Sequence, residues 1–211
     1  SHSHEDHFDA KVFTLLEKYP DTRFFVSRDT RLTERKRQWL NISDAAFART
    51  TVLRPDSILL TEVAGEDLSI RAVKSTDIGN AYLLRAEGKM VYHGGDLNWW
   101  DWKSEGEAYC NNMAAHYRAA IEKLASAVEN EATDNGIAPE ITAAMAPLDP
   151  RLGEGSEGLG IEYLLKNVTV QHVFPMHMWK KYEVIDRYIA AHPDEKDIVA
   201  HITHDDETFE I

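Results

Sequence analysis

Between residues 57 and 92 the chain reads as a run of strands. The segments SILLTEV, LSIRAVKS, NAYLLRA and KMVYH are β-rich, and turn signals at Gly65-Glu66-Asp67 and Glu87-Gly88 separate them. Short runs of branched and aromatic residues between such turns predict a meander of about four strands. A different period follows. Met113, Tyr117, Ile121, Leu124 and Val128 recur at spacings of three or four, so residues 104–130 are expected to form one long helix with a single apolar face. A hairpin block running into a long amphipathic helix excludes all-α and all-β folds.

The rest of the chain supports a mixed α/β class. EITAAMA (140–146), TVQHVFPM (169–176), DIVAHI (197–202) and ETFEI (207–211) read as strands, and GLGIEYLLKN (158–167) and KKYEVIDRYIAA (180–191) as helices. Near the start, DAKVFTLLEK (9–18) reads as a short helix with Val12, Leu15 and Leu16 on its apolar face, stopped by Pro20. RFFVS (23–27) reads as a buried strand, and TERKRQWL (33–40) as a charged helix capped by Thr33. At 211 residues, without repeats or low-complexity segments, one domain over 1–211 is expected.

Net charge is −13, which disfavours nucleic-acid partners because an acidic surface repels phosphate backbones. No apolar run is long enough to span a membrane. The lone cysteine, Cys110, cannot form an intrachain disulfide and fits a reducing cytoplasm. Neither a Gly-x-Ser-x-Gly elbow nor a phosphate loop with its lysine is present, so neither a serine hydrolase nor a nucleotide site is expected.

The chemistry concentrates in the first ten residues, SHSHEDHFDA. Positions 2 to 7 spell H-x-H-x-D-H. Imidazoles and a carboxylate are the usual ligands of a divalent transition metal. In a turn, His2 and His4 can converge on one ion, while Asp6 and His7 reach a second. Two ions about 3.5–4 Å apart make a two-metal site that activates water. Glu5 is expected to be solvated. A His-rich tag remnant is the alternative, but a tag would lack the ordered Asp6.

This motif resembles the signature of the metallo-β-lactamase superfamily, and the chain looks most similar to the branch that includes the L-ascorbate-6-phosphate lactonase. VYHGGDLNWW (91–100) resembles that branch's strand ending in Gly-Asp, and VFPMHMW (173–179) its strand delivering the last histidine ligand. The resemblance implies a four-layer αββα sandwich with two divalent ions (zinc, manganese or iron) at one edge. It also implies that the first strands, roughly 40–60 residues by size analogy, are missing and that the chain is truncated at its N-terminus. In that frame His2, His4 and Asp77 hold the first ion, Asp6, His7 and His177 hold the second, and Asp96 bridges. Asp77 stands where the family usually supplies a third histidine. An oxygen donor there shifts preference from zinc toward manganese or iron; the alternative is a turn residue before Gly79.

Further residues carry open readings. His93 either orients Asp96 and moves protons, or is a half-buried strand histidine. Asp6 is a candidate proton shuttle to the leaving group. In NWWDW (98–102) the tryptophans either wall a cleft or plug the loop beneath Asp96, with Trp99 and Asn98 as substrate candidates. Arg151 either binds a substrate carboxylate or phosphate, or closes an Asp-Pro turn with Asp149. Cys110 is expected to be an inert packing residue. The expectation is a metal-dependent hydrolase of a small cytoplasmic ester, lactone or phosphoester. A phosphodiesterase or nuclease and a non-catalytic metal-binding protein are the alternatives, and a homo-oligomer is compatible with the branch.

Overall fold

A computed structural model describes residues 1–63 and 65–211. Its element order is α1 (Leu15–Lys18), β1 (Phe24–Ser27), α2 (Glu34–Trp39), α3 (Asp44–Ala48), β2 (Thr50–Leu53), β3 (Ile58–Val63), β4 (Glu66–Lys74), β5 (Asn80–Ala86), β6 (Lys89–His93), α4 (Glu107–Asn135), β7 (Glu140–Pro147), α5 (Leu159–Asn167), β8 (Thr169–Met176) and α6 (Glu183–Ala191). Strands β3 to β8 form one sheet in sequence order, and β1 and β2 form a small parallel pair.

Side-chain alternation builds four layers. On β5, Ala81 and Leu83 face a core shared with Tyr117, Ile121 and Leu124 of α4, Ile161 and Leu164 of α5, and Val184 and Ile185 of α6. Tyr82 and Leu84 face the other way, toward Leu53 of β2, Phe25 of β1 and Ile70 of β4. The small sheet therefore stacks on the large one. Its far side carries Phe24 and Val26, which pack against Phe13, Ile42 and Ala46 among the short helices. Strand residues i and i+1 point to opposite faces, so each sheet separates two apolar layers. This is the αββα sandwich that the resemblance implied.

The sheet places several loops together. Strands β3 to β6 are antiparallel, whereas β6, β7 and β8 are parallel, with crossovers through α4 and α5. The carboxyl ends of β6, β7 and β8 therefore share one edge. Because β5 runs against β6, the turn joining β4 to β5 opens at that same edge. Chain segments 75–79, 94–102, 148–153 and 177–180 all emerge there, and carboxyl ends of parallel strands are where layered α/β folds place their sites.

Several sequence expectations change. The expected apolar face of the first helix is met only at Leu16, which packs toward Phe13 and Phe24; Phe13 is buried while Val12 and Leu15 are exposed, because residues 10–14 wind as a 3-10 helix before α1. The two final strands are absent; Val199 makes an isolated bridge to Val173, and residues 207–211 form no strand. The structure adds α3 and β2. The expected cap is present, Thr33 accepting from the Lys36 N–H, and Ser43 caps the added α3 by accepting from the Ala46 N–H. Among the described residues no helix is long and apolar enough to cross a membrane.

Candidate metal centre

Residues 1–7 form no strand. They lie against the loop edge of the large sheet, where the Asn80 N–H donates to the Ser1 carbonyl (3.2 Å) and the Ser3 N–H to Asp29 (2.8 Å). Two glycines admit them. A Cβ on Gly79, whose φ is +77°, would stand 2.4 Å from the His2 Cβ, and one on Gly95 would stand 2.7 Å from the Ser1 Cβ. The backbones of two loops, the β4–β5 turn and the segment after β6, thus form a socket for the histidine motif.

Seven side chains converge in two groups, His2–His4–Asp77–Asp96 and Asp6–His7–His177. Asp77 comes from the β4–β5 turn, Asp96 from the loop after β6, and His177 from the residue after β8. The His2 Nε2 lies 2.9 Å from His4 Nδ1 and 3.3 Å from Asp96 Oδ2. The His7 Nε2 lies 3.3 Å from His177 Nε2, 3.0 Å from Asp96 Oδ1 and 3.6 Å from Asp6 Oδ2. The His177 Nε2 stands 3.1 Å from Asp96 Oδ1. Asp96 thus touches both groups, one oxygen toward each. Glu5 is exposed and outside both groups.

These residues fit a pair of divalent ions. Donors about 2.0–2.2 Å from a common ion stand roughly 3.0–3.6 Å from one another, and the separations here lie close to that range. The Asp96 Oδ1 is buried and has no hydrogen-bond partner, although two imidazole nitrogens approach within 3.1 Å. Close nitrogens without hydrogen-bond alignment suit lone pairs aimed at a shared centre. A buried carboxylate in that state carries a cost unless a cation meets it.

The electrostatics agree. Burial raises the Asp96 carboxyl, but His177, His2 and His7 together outweigh it and hold the group far below the usual carboxylate range. Burial lowers His177, yet Asp149 and Asp96 raise it to about 9. Asp149 is the partner that sequence reasoning missed. Fully buried, it accepts from His177 Nδ1 (3.0 Å) and from Arg151 Nε (2.9 Å), and these bonds overcome burial to hold it well below its ordinary value. A carboxylate on the second nitrogen fixes the ring so that Nε2 faces the centre. The Ser1 hydroxyl stands 3.1 Å from the Nδ1 of both His2 and His7.

His93 closes β6 but is not among the partners of Asp96. Its Nδ1 accepts from the Gly95 N–H (3.0 Å), and burial, with repulsion from His7, pushes it down to about 4. It is therefore neutral at pH 7 and holds the loop before Asp96. The ring also lines a cavity of about 560 Å³ with Asp6, His7 and His177.

The tryptophan cluster divides. Trp99 packs with Tyr117 and Tyr163 on the helical side, under the Arg118 guanidinium. Asn98 is buried, and its Oδ1 lies 2.1 Å from the position of a Cβ on Gly160. Neither side chain lines the cavities beside the centre: Asn98 is buried and Trp99, half-buried, packs on the helical side. Trp100 and Trp102 face a second cavity of about 340 Å³ beside the centre, together with Arg151 and Trp179. The turn reading of Asp149 and Arg151 holds, and Arg151 also reaches the cleft. Cys110 is half-buried on α4, with its thiol 3.5 Å from the Trp102 carbonyl.

No family model and no curated protein matches the sequence. The fold is similar to that of CmlA, a diiron β-hydroxylase from Streptomyces venezuelae, with TM-score 0.53, 10% identity and coverage of 94% of this chain and 42% of that one. A variant of CmlA β-hydroxylase gives TM-score 0.52, again at 10% identity, covering 94% and 41%. A protein described as a zinc-dependent hydrolase of the metallo-β-lactamase superfamily from Thermotoga maritima gives 0.33 at 15% identity, over 67% of this chain and 56% of that one, too loose a match to carry an argument. The chain spans about two-fifths of the length of the CmlA structures it matches. At this identity the likeness shows the fold, a mixed α/β layered sandwich.

Proposed function

We propose that the chain is a metal-dependent hydrolase of small esters, lactones or phosphoesters. The observation that carries this reading is the arrangement of seven donors in two groups that share Asp96. His2, His4 and Asp77 would hold one divalent ion, and Asp6, His7 and His177 the other, with Asp96 between them. Such ions supply Lewis acidity and make water nucleophilic near neutral pH. The chain's own groups do the rest. Asp149 orients His177, and the Gly95 N–H held by His93 orders the loop bearing Asp96. Asp6, with its side chain about half exposed beside His7, is placed to carry a proton to the leaving group. Zinc, manganese and iron all suit this donor set, and the Asp77 oxygen favours the latter two. A small substrate in the cytoplasm, no nucleic-acid partner and a single domain over 1–211, alone or as a homo-oligomer, complete the reading.

The test is elemental analysis of the purified protein followed by hydrolysis of p-nitrophenyl esters and bis(p-nitrophenyl) phosphate. About two equivalents of metal and turnover lost in Asp96→Asn are expected. A folded protein that takes up no metal would overturn the reading. The carboxylate Asp77, with the fold likeness to a diiron β-hydroxylase, favours one second reading: an iron oxygenase, which metal-dependent oxygen uptake without hydrolysis would identify.

A further inference from the structure

The smaller cavity has a built wall. Trp100 and Trp102 lie parallel, with 6.0 Å between ring centres and an interplanar angle of 1°. Opposite, the Arg151 guanidinium sits 4.5 Å from the Trp179 ring centre and 5.6 Å from that of Trp102. Its Nε and Nη2 donate to the buried Asp149, which in turn holds His177. An arginine pinned by a carboxylate and two aromatic faces has lost most of its rotamer freedom in advance. Its side chain nevertheless stays 44% exposed, and Nη1 has no acceptor among the described residues. A pre-ordered guanidinium with unused donors thus faces a cavity that adjoins His4, Asp77 and Asp96, and guanidinium donors of this kind suit an oxyanion.

We infer that Arg151 recognises a carboxylate or phosphate on the substrate, while Trp102 and Trp179 hold the guanidinium between their rings. An aromatic cage near acids can instead suit a cation, but the chain's own Arg151 occupies the slot between Trp102 and Trp179. The nearby carboxylates Asp6, Asp77 and Asp96 would repel an anion unless divalent ions neutralise them, so the inference rests on the metal-centre reading. The substrate class narrows to small anions, and a cavity of about 340 Å³ sets the size.

The experiment titrates the metal-loaded full chain with phenyl phosphate, benzoate and benzamide and reads tryptophan fluorescence. The wild type is expected to bind the two anions at least about tenfold tighter than benzamide, as a charge-assisted hydrogen bond implies. Arg151→Met should reduce that preference about tenfold with benzamide affinity unchanged, and Arg151→Lys should fall between. Metal content is measured on each variant; if Arg151→Met loses metal, Arg151→Lys decides, because it keeps a cation beside Asp149. Equal binding of all three probes, binding of none, or an anion preference that survives loss of the guanidinium in metal-replete protein would overturn the inference. Binding needs no turnover. Arg151-dependent binding without hydrolysis would sink the hydrolase reading alone, and hydrolysis with Arg151-independent binding would sink this inference alone.

Discussion

The Nδ1 of His177 lies 3.0 Å from Asp149 Oδ2, across 28 residues of sequence. The contact exists because β7 and β8 are parallel neighbours with Pro147 opposite Met176, so the next residues of each strand leave the sheet side by side. Asp149→Asn keeps the size but weakens the hold on the ring. Metal affinity at the second group should fall about 10–100-fold. Calorimetric titration of the metal-free variant would check it; an unchanged second binding step would remove Asp149 from the centre.

Proton competition follows from the same pair. His177 is raised to about 9 without metal, so below that pH a proton occupies the ring that must bind as a neutral imidazole. Apparent affinity should therefore climb as pH rises from 6 and level off above about 9, at most about tenfold per pH unit for one displaced proton. A pH-independent affinity would show that His177 gives up no proton to metal.

Gly79 offers a backbone test. Alanine there would meet the His2 Cβ and the Ser1 carbonyl, and its positive φ would add strain of about 1–3 kcal/mol. Gly79→Ala should lose the first ion while keeping its far-ultraviolet dichroism. Retention of two equivalents would mean that residues 1–7 are not seated by this socket.

In the proposed ligand set Asp77 would set metal preference. Asp77→His replaces the oxygen donor with nitrogen and should move selectivity toward zinc over manganese, read as bound-metal ratios after equilibration with both. Asp77→Ala should lower the stoichiometry from two equivalents to one. An unchanged stoichiometry would make Asp77 a turn residue only.

Stability is probed away from the centre. The buried Glu131 of α4 accepts from Ser69 and pairs with Arg71 and Arg85 on β4 and β5, tying the long helix to the sheet. Burial raises its carboxyl, and these partners lower it below its ordinary value of 4.5. A depressed carboxylate stabilises the fold above the unfolded pKa and loses that contribution as pH falls through the folded one. Glu131→Ala should cost about 3 kcal/mol in urea unfolding at pH 7, with the gap narrowing below pH 4.5. A gap that does not change with pH would deny the ion pairs their role.

Sequence conveyed elements whose period was long. The α4 face from Met113 to Val128 is buried as its spacing implies, and β5 and β6 fall at the expected residues. It failed where elements were short. Helix α3 has five residues and buries Ala46 alone, and β2 has four residues with Val52 exposed, too little pattern for either period to register. At the site, the histidine motif was readable because its donors are contiguous. The pairing of Asp149 with His177 was not, since only strand adjacency creates it. Trp99 was read as one block with Trp100, but Trp99 packs on the helical side and Trp100 against His177.

The donors span positions 2 to 177 of the chain, and each partner of the first seven residues sits on a different strand end. No local segment can gather them. The pocket therefore closes only after β4 through β8 have registered, which makes it a late event in folding rather than a nucleus. An ion added to the unfolded chain would find at most the adjacent histidines and stall there. Added to the finished sheet, it would meet all seven donors at once, so the rate of uptake reports how much of the sheet has formed.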